Sequence, residues 1–138
     1  MRKQLKLKNQ LDELEKIKDA ISALLESRSS REPAEFEMNL IAEELFTNVM
    51  NHAFADGAEH EIKVELSVDE NEWQIRLEDH GAPFDPTKAD EPDINAPLHE
   101  RGIGGLGIHL VRKIADVFEY ERKEDSNIVV VRKKLAGD

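Results

Sequence analysis

The stretch Arg101-Gly102-Ile-Gly104-Gly105-Leu-Gly107-Ile-His-Leu110 places four of the chain's seven glycines within six residues, directly before an apolar helical pattern. Glycines let a backbone approach a phosphate, and a helix N-terminus offers unpaired N–H groups, so the stretch predicts a nucleotide. Its letters also match the dinucleotide fingerprint GxGxxG, which is specific only between a strand and a helix. Residues 90–100 carry two prolines and no strand pattern, and little chain follows. This context argues against a Rossmann domain.

The composition indicates one globular domain with a heavily charged surface. The chain has 138 residues, 39% of them hydrophobic and 36% charged, which is enough for a real core. The net charge of −11 argues against binding to duplex nucleic acid or to a membrane surface and fits a basic protein partner. The absence of cysteine excludes disulfides and thiolate metal sites. Residues 1–8 contain no apolar run, so we expect no signal peptide or membrane span, and a cytoplasmic location.

Hydrophobic periodicity predicts the order β-α-α-β-β-loop-α-β-β. We therefore predict an α+β fold, a two-layer sandwich with a mixed, mostly antiparallel sheet and three helices on one face. The loop over 80–101 is long enough to suggest a function. The predicted elements are a strand at 5–7, helices at 9–28 and 33–54, a hairpin of strands 62–68 and 73–77, a third helix with apolar residues from 108 to 117, and a closing hairpin of strands 117–121 and 128–131.

Local signals suggest how some of these elements begin and turn. Asn9 is a predicted helix N-cap, with Asp12 at the capping-box position. Pro33 suits the first turn of the second helix. The polar run at 125–127 predicts the turn of the closing hairpin.

A polar column lies along the second helix. Glu44, Asn48 and His52 follow each other at intervals of four, so each advances only about 40° around the axis and borders the apolar stripe. A carboxylate and a carboxamide there cost desolvation free energy unless a partner such as Mg²⁺ pairs with them. The alternative is that these side chains cap the rim of the sheet and contact loop backbone.

The third signal follows the predicted strand 73–77. Asp79 ends this apolar alternation, where its carboxylate can accept a hydrogen bond from a ligand amino group, and Gly81 permits a sharp turn. The alternative is an ordinary Asp-x-Gly turn.

Together, in this order, the three segments resemble the GHKL, or histidine-kinase-like, ATPase superfamily. Within it they are most similar to the small bacterial anti-sigma factor serine/threonine kinases. Residues 43–53 resemble the N box, residues 79–86 the first glycine box in its Pro-Phe-Asp-Pro form, and residues 87–107 the lid with the second glycine box. The resemblance implies a Bergerat-type ATP-binding fold, with a single domain over residues 1–138.

The resemblance also implies roles for single residues. Asn48 would hold Mg²⁺ through its side-chain oxygen, Glu44 would orient or deprotonate the attacking hydroxyl, and Asp79 would bind the adenine amino group. Arg101 is a candidate for the γ-phosphate, with an ordinary surface arginine as the alternative. Many members carry a Thr on the last strand that reaches adenine through water, whereas residues 128–131 offer no hydroxyl. The other implied nucleotide-binding positions are His52, for which a structural hydrogen bond is the alternative, and Gly81, Pro83, Phe84, Gly102, Gly104, Gly105, Leu106 and Gly107.

The implied activity is that of an ATP·Mg²⁺-dependent Ser/Thr protein kinase. Such a protein would sequester a sigma factor and phosphorylate an anti-sigma-factor antagonist, and a homodimer is expected by the same resemblance. Two alternatives remain open: a non-catalytic, ATP-dependent interaction switch, and an ATP-binding partner domain of a two-component-type system.

Overall fold

The computed structural model describes residues 1–28, 31–54, 56–88 and 105–135. The predicted order of strands and helices is confirmed, and single 3₁₀ turns at Leu11–Glu13 and Pro86–Lys88 are added to it. The elements are β1 (Arg2–Lys8), α1 (Leu14–Leu25), α2 (Arg31–His52), β2 (Glu61–Val68), β3 (Glu72–Asp79), α3 (Gly105–Ile114), β4 (Val117–Lys123) and β5 (Ser126–Lys134).

The five described strands form one sheet in the order β1-β2-β3-β5-β4. Every pairing between them is antiparallel, so the prediction of a mixed sheet was wrong in this respect. The reason lies in the last hairpin. β3 and β4 run in the same direction, but β5 turns back from β4 and inserts between them. β3 and β4 are therefore not neighbours in the sheet, and no parallel pair forms between them.

The core lies between the sheet and the helices. Burial alternates strictly along β2 and β3, so one face of the sheet is apolar and covered while the other is wetter. Trp73 is fully buried on the covered face, as are Met38 and Phe46 of α2. Asp79 is the last residue of β3 on this same face and is 2% exposed. The alternation therefore carries a carboxylate into the edge of an apolar layer.

The predicted cap at Asn9 was wrong. Its side chain instead donates to the carbonyl of Ala58 (3.2 Å) and accepts from the backbone N–H of His60 (2.8 Å), which ties the end of β1 to the segment before β2. The first helical turn follows Gln10, which makes no side-chain cap bond. These tertiary hydrogen bonds replace the predicted local helix cap, because the Asn9 side chain satisfies two backbone groups in this position.

The turn of the closing hairpin also differs from the prediction. It consists of Glu124 and Asp125, with Glu124 in the left-handed region at a φ of 56°. Ser126 and Asn127, predicted as turn residues, instead belong to β5. Asn127 thereby pairs directly across the sheet with Asp79.

Candidate nucleotide-binding site

One end of the candidate site, here the Asp79 end, is formed by Asp79, Asn127 and the loop 80–84. Oδ1 of Asp79 accepts hydrogen bonds from the backbone N–H of Gly81 (2.8 Å) and from Nδ2 of Asn127 (3.0 Å). Oδ2 accepts no hydrogen bond from the described residues. A buried carboxylate with one oxygen occupied and one available suits a ligand that donates from an amino group.

Asn127 is a site residue that the sequence reasoning missed. Its Nδ2 also donates to the carbonyl of Ala82 (2.8 Å), and its Oδ1 accepts from the backbone N–H of Phe84 (3.2 Å) and from the hydroxyl of Tyr120. Burial raises the pKa of Tyr120, so its hydroxyl stays neutral and donates this hydrogen bond. A prediction with a shorter turn in the closing hairpin would have found Asn127 opposite Asp79, where the structure has it. The Asp-Ser-Asn string concealed this because it is itself typical of turns.

The loop of the Asp79 end packs on the C-terminus of α2. The backbone N–H of Ala82 donates to the carbonyl of Ala53 (2.8 Å), and a Cβ on Gly81 would come within 2.5 Å of that same oxygen. Only glycine fits this approach without moving backbone. The rings of His52 and Phe84 stack with centroids 4.9 Å apart, while Pro83 lies exposed between the two contacts.

The opposite end, here the Glu44 end, lies earlier on α2. Nδ2 of Asn48 donates to Oε1 of Glu44 at 3.1 Å, and Asn48 is 5% exposed. Burial raises the pKa of Glu44; the hydrogen bond from Asn48 opposes this rise, and the charge of Glu43 adds to it. Glu43 itself is exposed on another side of the helix. The structure thus brings Glu44 and Asn48 together and leaves Glu43 apart.

Helix α3 begins against this carboxylate. A Cβ on Gly107 would lie 1.9 Å from Cδ of Glu44, so the first turn of α3 rests on the Glu44 side chain only because residue 107 is glycine. Gly105 is the first residue of α3, and Leu106 follows it. The N-terminus of a helix is favourable for anionic groups, so this end suits a phosphate. Arg101, Gly102 and Gly104 lie outside the described residues.

The Glu44 end also fits a Mg²⁺ ion bound to phosphate. Because Nδ2 of Asn48 faces Glu44, Oδ1 is the atom left for a cation, and it accepts no hydrogen bond within the described ranges. In those ranges no three Asp, Glu or His side chains cluster as a metal site. Mg²⁺ commonly takes one or two protein oxygens and completes its shell with phosphate and water.

A Ser-His-Asp contact near the Asp79 end does not form a catalytic triad. Oγ of Ser126 lies 3.0 Å from Nδ1 of His80, and Oδ1 of Asp125 lies 3.5 Å from the same nitrogen. A triad needs the two partners on different ring nitrogens, so that one orients the base while the other gives up its proton. This geometry provides no such relay.

Comparison with known proteins agrees with these features. Residues 7–133 match the model of the histidine kinase-like ATPase domain, and the chain belongs to this family. The predicted resemblance to this superfamily is thereby confirmed, and membership in it implies ATP binding. Within the part of the chain that is described, no helix is long and apolar enough to cross a membrane.

The relatives include two differently named protein kinases. The serine/threonine-protein kinase BtrW of Bordetella bronchiseptica is 32% identical over 92 residues, which is 67% of this chain and 65% of that protein. The serine-protein kinase RsbW of Listeria monocytogenes is 28% identical over 100 residues, 70% of this chain and 64% of that protein. The matched part therefore spans slightly less than two thirds of each relative.

The fold is shared with a solved histidine kinase structure. The histidine kinase AdeS of Acinetobacter baumannii superposes with a TM-score of 0.50 at 13% identity, covering 97% of this chain and 67% of that one. At that identity the likeness concerns the fold alone. It confirms the predicted two-layer α+β architecture.

Proposed function

We propose that this chain is an ATP·Mg²⁺-dependent Ser/Thr protein kinase of the anti-sigma type. It would sequester a sigma factor and phosphorylate an anti-sigma-factor antagonist, which places its work in the cytoplasm. The observation that carries the proposal is the Glu44–Asn48 pair under the first turn of α3. The serine/threonine kinases among the relatives support the same activity.

In this proposal Asp79 receives the adenine amino group on Oδ2, and the phosphates lie toward α3. Glu44 accepts the proton of a Ser or Thr hydroxyl. The oxygen of that hydroxyl bonds to the γ-phosphorus of ATP, while the bond between this phosphorus and its bridging oxygen breaks. Its raised pKa makes it a better base than an ordinary carboxylate. Asn48 would hold Mg²⁺ through Oδ1, and the ion would supply charge neutralisation at the phosphates.

The remaining positions complete the proposed site. Residues 87–107 are proposed as the lid and second glycine box, with Gly102, Gly104 and Gly105 wrapping the phosphates and Arg101 meeting the γ-phosphate. His52 and Phe84 support the site through their stacked rings.

Nucleotide binding is tested by thermal denaturation. If ATP·Mg²⁺ binds only the folded state, a concentration about 100 times Kd adds about 2.7 kcal/mol, which raises the melting temperature by several degrees. GTP at the same concentration is the control. An unchanged melting temperature with ATP would refute the site.

Phosphoryl transfer is tested with radiolabelled ATP and the antagonist encoded near this gene. We expect Glu44→Gln to lower Ser/Thr labelling about 100-fold or more while the ATP-induced thermal shift persists, since a general base contributes about 10²–10⁴-fold. The matched control is Glu70→Gln, which removes the same charge at the exposed turn between β2 and β3 and should label normally.

The same assay separates the alternatives. A robust ATP shift with no label on any Ser or Thr would identify a non-catalytic switch. Acid-labile label on a histidine-containing partner would identify a two-component-type domain.

A further inference from the structure

A groove of about 810 Å³ lies between α1 and α2, on the outer side of the helical layer and separate from the nucleotide site. Two large apolar side chains that line the groove are exposed to solvent: Phe36 is 69% exposed and Leu11 is 61% exposed. Leu14, Ile17 and Ala42 contribute the rest of its apolar lining. These side chains form one contiguous apolar lining with a polar rim, which is typical of a surface that a partner covers.

The rim of the groove is strongly acidic. Glu35 lies 3.7 Å from Arg31, but none of the other rim carboxylates forms an ion pair within the described ranges. Like charges gathered around one groove repel one another, and a cationic partner would relieve that repulsion. The lining contains five carboxylates and one lysine: Asp12, Glu15, Glu32, Glu35, Glu43 and Lys18.

We infer that this groove docks a basic amphipathic helix of a partner protein, with its apolar side on Phe36 and Leu11 and its Lys or Arg side chains over the rim. The α2 residues that line the groove run from Glu32 to Glu43, about 16 Å along the axis, which matches roughly three turns of a docked helix. Helix-in-groove binding of this kind uses apolar anchors at helical spacing.

A second copy of the chain fits the groove poorly. A twofold contact presents the same surface on both sides, so the five rim carboxylates of one copy would face those of the other. Like-charge juxtaposition of this kind disfavours association. The charge of the groove therefore selects a cationic partner.

The position of the groove connects it with the proposed activity. Glu43 lines the groove, and the next residue, Glu44, faces Gly107 in the nucleotide site. A helix docked in the groove is thus held by the same turn of α2 that carries the proposed general base. The inference rests on the proposed function only for the existence of a protein partner, since the docking chemistry stands on the groove itself.

The test uses a fluorescein-labelled amphipathic Leu/Lys helical peptide of about 14 residues, followed by anisotropy at about 0.1 M salt. We expect Phe36→Ser, and separately Glu15→Lys with Glu32→Lys, to weaken binding about tenfold or more. The matched control, Asp19→Lys with Glu70→Lys, makes the same change of net charge on exposed residues outside the groove and should stay within about twofold. A scrambled peptide of identical composition should bind at least about tenfold more weakly.

Two outcomes would overturn the inference. If the control variant loses as much affinity as the groove variants, or Phe36→Ser binds normally, the attraction is non-specific. If sedimentation shows a dimer that Phe36→Ser converts to a monomer, a second copy occupies the groove. The ATP thermal shift of each variant is measured in parallel. If the wild type shows no ATP thermal shift, the proposed function is refuted, whereas the conclusion from peptide binding still stands.

Discussion

The two ends of the nucleotide site are built in opposite ways on the same helix. At the Asp79 end, Asn127 and Gly81 hold the carboxylate with two hydrogen bonds, and backbone packs against backbone at Ala53. At the Glu44 end, one hydrogen bond from Asn48 holds a partly buried carboxylate. We therefore propose that the Asp79 end is organised before ligand arrives, whereas phosphate and cation would complete the Glu44 end.

The largest expected effect comes from Asp79→Asn. Because Oδ1 already accepts two hydrogen bonds, an asparagine would place its oxygen there and turn its NH₂ toward the adenine amino group, so that donor meets donor. We expect ATP affinity to fall about 100-fold or more, measured by calorimetry. Glu78→Gln, on the other face of β3, is the control and should bind ATP normally. An ATP affinity unaffected by Asp79→Asn would remove Asp79 from the site.

Asn127→Ala should produce the next largest effect. It removes one hydrogen bond each from Asp79, the Ala82 carbonyl, the Phe84 N–H and the Tyr120 hydroxyl, while the Gly81 N–H still donates to Asp79, and this loss costs about 2–3 kcal/mol of the free energy of unfolding. We also expect the preference for ATP over GTP to decrease about tenfold, because Asp79 loses its fixed orientation. Urea unfolding and nucleotide titration measure the two effects, with exposed Asn51→Ala as the control. Unchanged ATP/GTP selectivity would limit Asn127 to a structural role.

Alanine substitutions at Gly81 and Gly107 should distinguish the Asp79 end from the Glu44 end directly. At Gly81 the new Cβ meets the Ala53 carbonyl, which is backbone, so we expect a loss of about 2 kcal/mol of stability. At Gly107 it meets the movable end of the Glu44 side chain, so we expect a loss below about 1 kcal/mol but at least about tenfold slower phosphoryl transfer. The proposed contrast between the two ends would be wrong if Gly107→Ala lowers the free energy of unfolding as much as Gly81→Ala does.

The smallest effect is a dependence of stability on pH. Since burial raises the pKa of Glu44 above its usual 4.5, ionisation costs the folded state stability as pH rises through this range. Glu44→Gln removes that cost, so its melting temperature should exceed the wild type's at neutral pH, by a few degrees at most, and converge with it in acidic solution where Glu44 is protonated. The substitution Glu43→Gln, at an exposed residue, should change the melting temperature less. A Glu44→Gln protein that melts lower at neutral pH would contradict this reasoning.

Much of the architecture could be predicted from the sequence because its signals are local and periodic. Alternation along β2 and β3 placed Asp79 on the covered face, and helical spacing placed Glu44 and Asn48 side by side. These placements need only the geometry of one strand or one helix. Their roles in binding and transfer stay predictions.

What could not be predicted depends on pairing between distant segments. Asn127 and Asn9 both carry turn and cap chemistry in sequence, yet each is used across the fold, by Asp79 and by the segment at Ala58–His60. A shift of the closing hairpin by one residue would turn Asn127 to the other face of the sheet. The contact between Gly107 and Glu44 likewise requires the docking of α3 on α2.

Helix α2 has a consequence for how this site can change through evolution. It carries Glu44 and Asn48 and ends at Ala53, whose carbonyl receives the loop of the Asp79 end, so nine residues of helix set a span of about 13 Å between the two ends. Inserting or deleting one residue between Asn48 and Ala53 would rotate one end by about 100° relative to the other. Substitutions can therefore retune either end, whereas length changes in this segment should be absent from every descendant that still binds the nucleotide.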